Sequence, residues 1–268
     1  MSLERPAITL THVRKAYANG TVALQDMSLT IQESQFVSLV GPSGCGKSTV
    51  LRLMAGLGTL SSGSIEWGEH QSQRQLAFVF QDAALMPWAT VLDNVLLPLK
   101  LAGQPRSKAL PTVREALHLV GLDRFAQSYP RELSGGMKMR ASIARALVTQ
   151  PSVLLMDEPF GALDEITRSK LNGDVLELWS QKQWTVVFVT HNIYEAVYLS
   201  NRVIVMAARP GRVVADIAID APYPRTEEFR TSALYNEYCR EVQDRLSEAM
   251  EVKQSTPVYS QVSPRPSI

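Results

Sequence analysis

Residues 41–49 read GPSGCGKST, and no other segment limits the folding of this chain so severely. Gly41, Gly46, Lys47 and Ser48 fit the phosphate-binding pattern G-x-x-x-x-G-K-[ST]. Gly44 and Gly46 permit backbone angles that turn successive N–H groups toward one anion. Ahead of the loop, FVSLV at Phe36–Val40 is a buried-strand pattern; behind it, STVLRLMAGL has helical spacing. A strand, a phosphate cradle and a helix N-terminus carrying about half a positive charge therefore follow in order. Lys47 is placed to reach the β- and γ-phosphates and Ser48 to ligate Mg²⁺, with Pro42, Ser43, Cys45 and Thr49 completing the loop. Such a loop needs a parallel sheet to stand on.

The rest of the chain supplies one. Apolar runs at 153–156, Thr185–Val189 and 202–206 alternate with helical patterns that begin near Ser134 and Glu165 and pass through Glu195. That alternation predicts an α/β fold with a mostly parallel sheet covered on both faces. Alternating residues at Ile8 and Leu10, and at Met27, Leu29 and Ile31, flank a turn at Asn19-Gly20 and predict an N-terminal antiparallel β subdomain. From 81 to 129 the pattern is helical, interrupted at Pro87, Pro98, Pro105 and Pro111, and without a clear β run. A helical subdomain of about 82–130 is expected there, inserted in a core of 1–220. After Pro210-Gly211 comes one more β run, 212–219, then a helical extension of 221–252 and a tail of 253–268 expected to be disordered. In the extension, Leu234, Tyr238, Val242, Leu246 and Met250 recur at spacing four and predict a face packed on the body.

Composition narrows the partners. Lys and Arg total 27 against 26 Asp and Glu, a net charge of +1, so no overall field recruits nucleic acid or an anionic bilayer. With no run of about 18 apolar residues and no leader-like start, attachment to a membrane would have to come through another chain. Cys45 and Cys239 form neither a metal spacing nor a disulfide framework, which fits a reducing compartment. Cys45 lies in the phosphate loop, where neighbouring positive charge lowers a thiol pKa, but it reads as filler.

VLLMDE at 153–158 ends a buried strand in two carboxylates, at the edge where open α/β sheets collect ligands. Asp157 is placed to orient Mg²⁺ through its water shell, and Glu158 to polarise an attacking water as general base. Ser134, Gly135 and Gly136 at a helix start offer a hydroxyl and free N–H groups, a second anion site, although a plain N-cap reads the same way. Two anion sites distant in sequence point to one γ-phosphate held from both sides.

Leu133-Ser134-Gly135-Gly136-Met137, followed by the basic helix KMRASIARAL, resembles the signature of the ATP-binding-cassette (ABC) family, normally LSGGQ. The resemblance covers about residues 5–220. It implies an ATPase that works as a dimer, head to tail, each subunit lending its signature to the other's ATP. On the same resemblance Tyr17 corresponds to the aromatic residue that stacks on adenine. Gln81 corresponds to the Q-loop residue that touches Mg²⁺ and the membrane partner, Ala162-Leu163-Asp164 to the D-loop that crosses the dimer interface, and His191 to the switch histidine that contacts γ-phosphate. The implied catalytic residues are thus Glu158, His191 and Gln81. Met137 departs from the usual Gln and loses a polar contact.

FQDAALMPWATVLDNVLLPLKLAG, FGALDEITR and MAARPGRVVADI are similar to importers of nitrate, alkanesulfonates and taurine. That branch implies a peripheral subunit on the cytoplasmic face of the cell membrane, joined to integral permease subunits and, through them, to an extracytoplasmic solute-binding protein. The second ATPase subunit is expected to be a copy of this chain. Leu85, Met86, Pro87 and Trp88 are expected to form a groove for a permease helix. The alternative is a soluble ATP-driven switch acting on a non-transport partner; one compact core, without heptads or duplicated motifs, favours the transporter.

Overall fold

A computed structural model describes residues 5–68 and 75–251. Nine strands form two sheets among these residues. β1 (Pro6–Ala16), β2 (Val22–Gln32) and β4 (Ser62–Trp67) make an antiparallel sheet ordered β2-β1-β4. The larger sheet contains β3 (Phe36–Val40), β5 (Leu76–Val79), β6 (Val153–Asp157), β7 (Thr185–Val189), β8 (Arg202–Ala207) and β9 (Arg212–Ala218). Its order is β5-β6-β7-β3-β8-β9, parallel throughout except for β9, which returns antiparallel along β8.

Every residue of β3, β6 and β7 is buried, as a sheet covered on both faces requires. Successive side chains leave a strand on opposite faces. Phe36, Leu154, Met156, Val186 and Phe188 accordingly join one apolar cluster with the helices α2 (Val91–Leu101), α4 (Gly135–Leu147), α5 (Glu165–Lys182) and α6 (Ile193–Leu199). Val37, Leu39, Val153, Leu155, Val187 and Val189 join the other, with α1 (Lys47–Met54) and the antiparallel sheet.

Pro98 and Pro111 do not interrupt helices as expected: they lie inside α2 and α3 (Arg106–Leu119). Thr90 caps α2 by accepting from Asp93 N, and Val91, Leu92, Val95, Leu96 and Leu99 are buried, so packing offsets one missing backbone donor. Pro105 is the N-cap of α3, and Pro87 precedes α2 in a loop. β4 and β5 were not expected. The first is half-exposed and the second only four residues long, so neither carries a clean alternation.

After α7 (Glu227–Thr231), α8 (Ala233–Glu251) packs on α6 and β8. Its buried stripe is Tyr235, Cys239, Val242 and Ala249, with Leu246 partly buried, while Leu234 and Met250 are exposed. Spacing four advances about 40° per step around a helix, so the ends of the expected stripe rotate off the packed face. The expected tail, 253–268, lies outside the described residues. Among the described residues no helix is long and apolar enough to cross a membrane.

Candidate active site

The phosphate loop leaves the carboxyl end of β3 at the centre of the sheet, and contacts dictate its glycines. A Cβ on Gly41 would lie 2.6 Å from Met206 O and 2.7 Å from Cys45 Sγ. Gly46 has φ +97°, and a Cβ there would meet Leu24 Cδ2 at 2.7 Å; Gly44 needs its freedom for φ +75° alone. Lys47, 6% exposed, donates Nζ to Gly41 O at 2.8 Å and to Pro42 O at 3.4 Å. Its ammonium lies 3.9 Å from Glu158 Oε1.

β6 delivers the two carboxylates beside it. Ser48 Oγ donates to Asp157 Oδ1 at 2.8 Å. Burial pushes the Asp157 carboxyl above its ordinary pKa, with the Ser48 hydrogen bond acting in the opposite direction. Glu158 takes a left-handed φ of 45°, a conformation that non-glycine residues hold only where surrounding structure imposes it. Its N–H donates to Val189 O at 3.0 Å, at the end of β7. His191, just beyond β7, places Nδ1 3.2 Å from Glu158 Oε2. Lys47, Glu158 and His191 therefore form a line, with Ser48 and Asp157 beside it.

A cavity of about 870 Å³ opens over the loop and is lined by Tyr17, Thr21, Val22, Ala23, Gln25, Ser43, Gly44, Gly46, Lys47, Ser48, Thr49, Glu158, Arg209 and Pro210. Tyr17 forms a half-exposed wall, its hydroxyl 3.5 Å from Thr49 Oγ1. Two further lining residues were missed from the sequence. Arg209 and Pro210 belong to the β8–β9 turn, whose Gly211 donates N–H to Ala23 O at 2.9 Å and accepts from Gln25 N at 3.0 Å. A Cβ on Gly211 would lie 2.1 Å from Cys45 O, so only glycine lets this turn press on the phosphate loop. The Pro-Gly dipeptide was the available signal; it marked a turn but not what the turn touches.

Gly41, Pro42, Cys45, Asp157 and His191 do not line this cavity but adjoin residues that do, whereas Gln81, Ser134, Gly135, Gly136 and Asp164 neither line it nor adjoin its lining. Gln81 is exposed just past β5. Ser134 Oγ accepts from Met137 N at 3.3 Å and caps α4, the plain reading. Asp164 caps α5 by accepting from Thr167 N at 3.0 Å, and the Thr167 hydrogen bonds hold its carboxyl below the ordinary carboxylate range. A Cβ on Gly136 would meet Thr167 Cγ2 at 2.5 Å, and one on Gly135 would lie 3.7 Å from Leu163 Cδ2. Ser134, Gly135 and Asp164 are thus exposed at two adjoining helix starts, apart from the cavity, with Gly136 buried against α5.

Cys45 packs as a small apolar residue would. Its side chain is turned beneath the loop into the core, and burial pushes the thiol above its ordinary pKa against the lowering effect of Lys47. Iodoacetamide at mildly alkaline pH is expected to spare Cys45 in the folded protein and label it after denaturation, as read by peptide mass spectrometry. Fast labelling of the folded chain that blocks nucleotide binding would contradict this.

The family model described as "ABC transporter" matches residues 24–161. The aliphatic sulfonates import ATP-binding protein SsuB of Bacillus cereus (strain ATCC 10987 / NRS 248) is 44% identical over 241 residues, 88% of this chain and 94% of its own. The ABC transporter cassette MJ0796, solved as a dimer in a post-hydrolysis state bound to ADP and Pi, matches with a TM-score of 0.70 at 32% identity, over 80% of this chain and all (100%) of its own. cbiO1 from Clostridium perfringens, part of the ABC transporter complex cbiONQ, matches with a TM-score of 0.74 at 25% identity, over 94% of this chain and 100% of its own.

Proposed function

The chain belongs to the ABC transporter family as an ATP-binding ATPase subunit, and from there we propose that it powers uptake of a small anionic solute through a separate membrane permease. The observation that carries the hydrolytic part is Glu158, which lines the cavity with Lys47 3.9 Å from one carboxylate oxygen and His191, outside the lining, 3.2 Å from the other. ATP lies with its phosphates over the amides of the phosphate loop and against Lys47, and its adenine on Tyr17. Ser48 and Asp157 offer a hydroxyl and a carboxylate 2.8 Å apart, the hard oxygen donors Mg²⁺ prefers. Glu158 takes the proton of the attacking water, and His191 orients the Glu158 carboxylate and faces the γ-phosphate.

Ser134, Gly135 and Gly136 stand outside their own chain's cavity, so they reach a nucleotide only on a second copy. Two copies then close head to tail over two ATP molecules, with Asp164 and its neighbours at the seam. The dimeric state of MJ0796 supports this arrangement. Gln81, exposed after β5, and Trp88, 77% exposed, face the permease; Leu85 is partly buried against the core and serves packing as well. The subunit sits on the cytoplasmic face of the membrane, and a solute-binding protein outside delivers cargo. The solute is a sulfonate, taurine or nitrate type of anion, with SsuB supporting the sulfonate.

Growth tests this reading. A deletion strain is expected to fail on an alkanesulfonate, taurine or nitrate as the single source of sulfur or nitrogen, and to recover with the wild-type gene but not with Glu158→Gln. Normal growth on all three would remove the proposed cargo.

A further inference from the structure

The residues that fasten the hydrolytic pair lie outside the cavity. Two short segments meet there, 158–164 after β6 and 190–192 after β7. Arg168, in the first turns of α5, donates Nη2 to Leu163 O at 2.7 Å and Nε to Phe160 O at 3.3 Å. Its Nε also lies 3.5 Å from Glu195 Oε1, a carboxylate only 5% exposed. The other Glu195 oxygen, Oε2, accepts from Thr190 Oγ1 at 2.5 Å, and Thr190 Oγ1 accepts from Asn192 N at 3.0 Å. His191 sits between the two residues so held, its Nδ1 3.2 Å from Glu158. One carboxylate thus ties both segments, through Arg168 to the Phe160 and Leu163 carbonyls that follow Glu158, and through Thr190 to the Asn192 N–H that follows His191.

Burying a carboxylate has a cost that pairing only partly returns, and an apolar side chain would hold α6 in place at least as well. What an apolar residue could not do is fix two backbone segments in one register with directional bonds. We infer that Arg168 and Glu195 are positioning residues for ATP hydrolysis, locking 158–164 to 190–192 so that Glu158 and His191 keep their mutual geometry. Neither residue lines the nucleotide cavity. The inference rests on Glu158 and His191 acting as proposed above.

Arg168→Met, Glu195→Gln and the double variant of the full chain test it, with kcat, KM for ATP and melting temperature measured for each. Misplacing a catalytic pair without touching the substrate is expected to lower kcat about ten- to a hundredfold in each single variant. KM should stay within about twofold of wild type, at temperatures where each variant is folded. Because the two act through one lock, the double variant should fall no further than the worse single variant. Arg168→Lys, which keeps the charge but replaces the spread, planar donors Nε and Nη2 by a single nitrogen, should be intermediate. Should Glu195→Gln fail to fold, the Arg168 variants still decide the matter, since the Arg168 side chain is partly exposed. A lower melting temperature with unchanged kcat, a rise in KM alone, or multiplied losses in the double variant would overturn the inference by itself. Turnover by Glu158→Gln in the same assay would overturn the catalytic reading and this inference together.

Discussion

Glu158→Gln is expected to lower kcat for ATP hydrolysis by about 10²–10⁴-fold while ATP still binds and two copies still associate. The amide keeps the size of the carboxylate and can hydrogen-bond with His191, but it cannot accept a proton from water. Lys47 loses an anion 3.9 Å away, which leaves more of its charge for a triphosphate. Bound ATP that is not consumed should hold the pair closed. Phosphate release measures the first effect, and light scattering with and without ATP measures the second. Steady-state turnover near the wild-type rate would remove Glu158 from its role.

Arg225→Met is expected to unfold the chain far more easily without touching the cavity. Arg225 is 4% exposed and donates Nη1 to Val197 O, Tyr198 O and Ser200 O at 2.8, 3.0 and 2.7 Å, the carbonyls at the end of α6. Its guanidinium also stacks over the Tyr223 ring, 4.2 Å from the centroid. Met fills much of the same space but donates nothing. Each orphaned buried carbonyl costs roughly 1–3 kcal/mol, and because the three share one donor we expect about 3–5 kcal/mol in total. For a chain of this size that corresponds to a melting temperature lower by roughly 10 °C. Thermal denaturation followed by circular dichroism reads it directly. A shift of only a degree or two would mean that water replaces the guanidinium.

The parts of this molecule that follow local rules were legible in its sequence. β3, β6, β7 and β8 are apolar runs, and the phosphate loop is a spacing of glycines with one lysine, so both stand in the linear pattern. Lys47 and Glu158 stand in the same linear pattern, one inside the loop and one at the end of a buried strand, whereas His191 was singled out by the family resemblance and not by its place after a strand. What depended on distant partners was not legible. Arg225 stands in a proline-containing link and reads as a solvated cation, yet its partners lie 25–28 residues earlier. Cys45 shows a lysine two positions on, but not that its sulfur faces the core. Arg209 and Gly211 shape the cavity because a returning hairpin hooks onto β2, a contact that no spacing announces. Glu195 looks like one polar residue in the apolar run IYEAVYL, and only the folded chain brings Arg168 to it.

The proposed pairing of two copies, with Ser134 and Gly135 of each outside its own chain's cavity, has a genetic consequence. In a cell carrying two alleles, a product that folds and pairs but cannot complete the reaction draws normal copies into crippled pairs, so the lesion behaves as dominant. A product that does not fold leaves the normal copies to pair among themselves, and its lesion is recessive. Glu158→Gln belongs to the first kind, whereas Arg225→Met moves toward the second only as the temperature passes its lowered melting point.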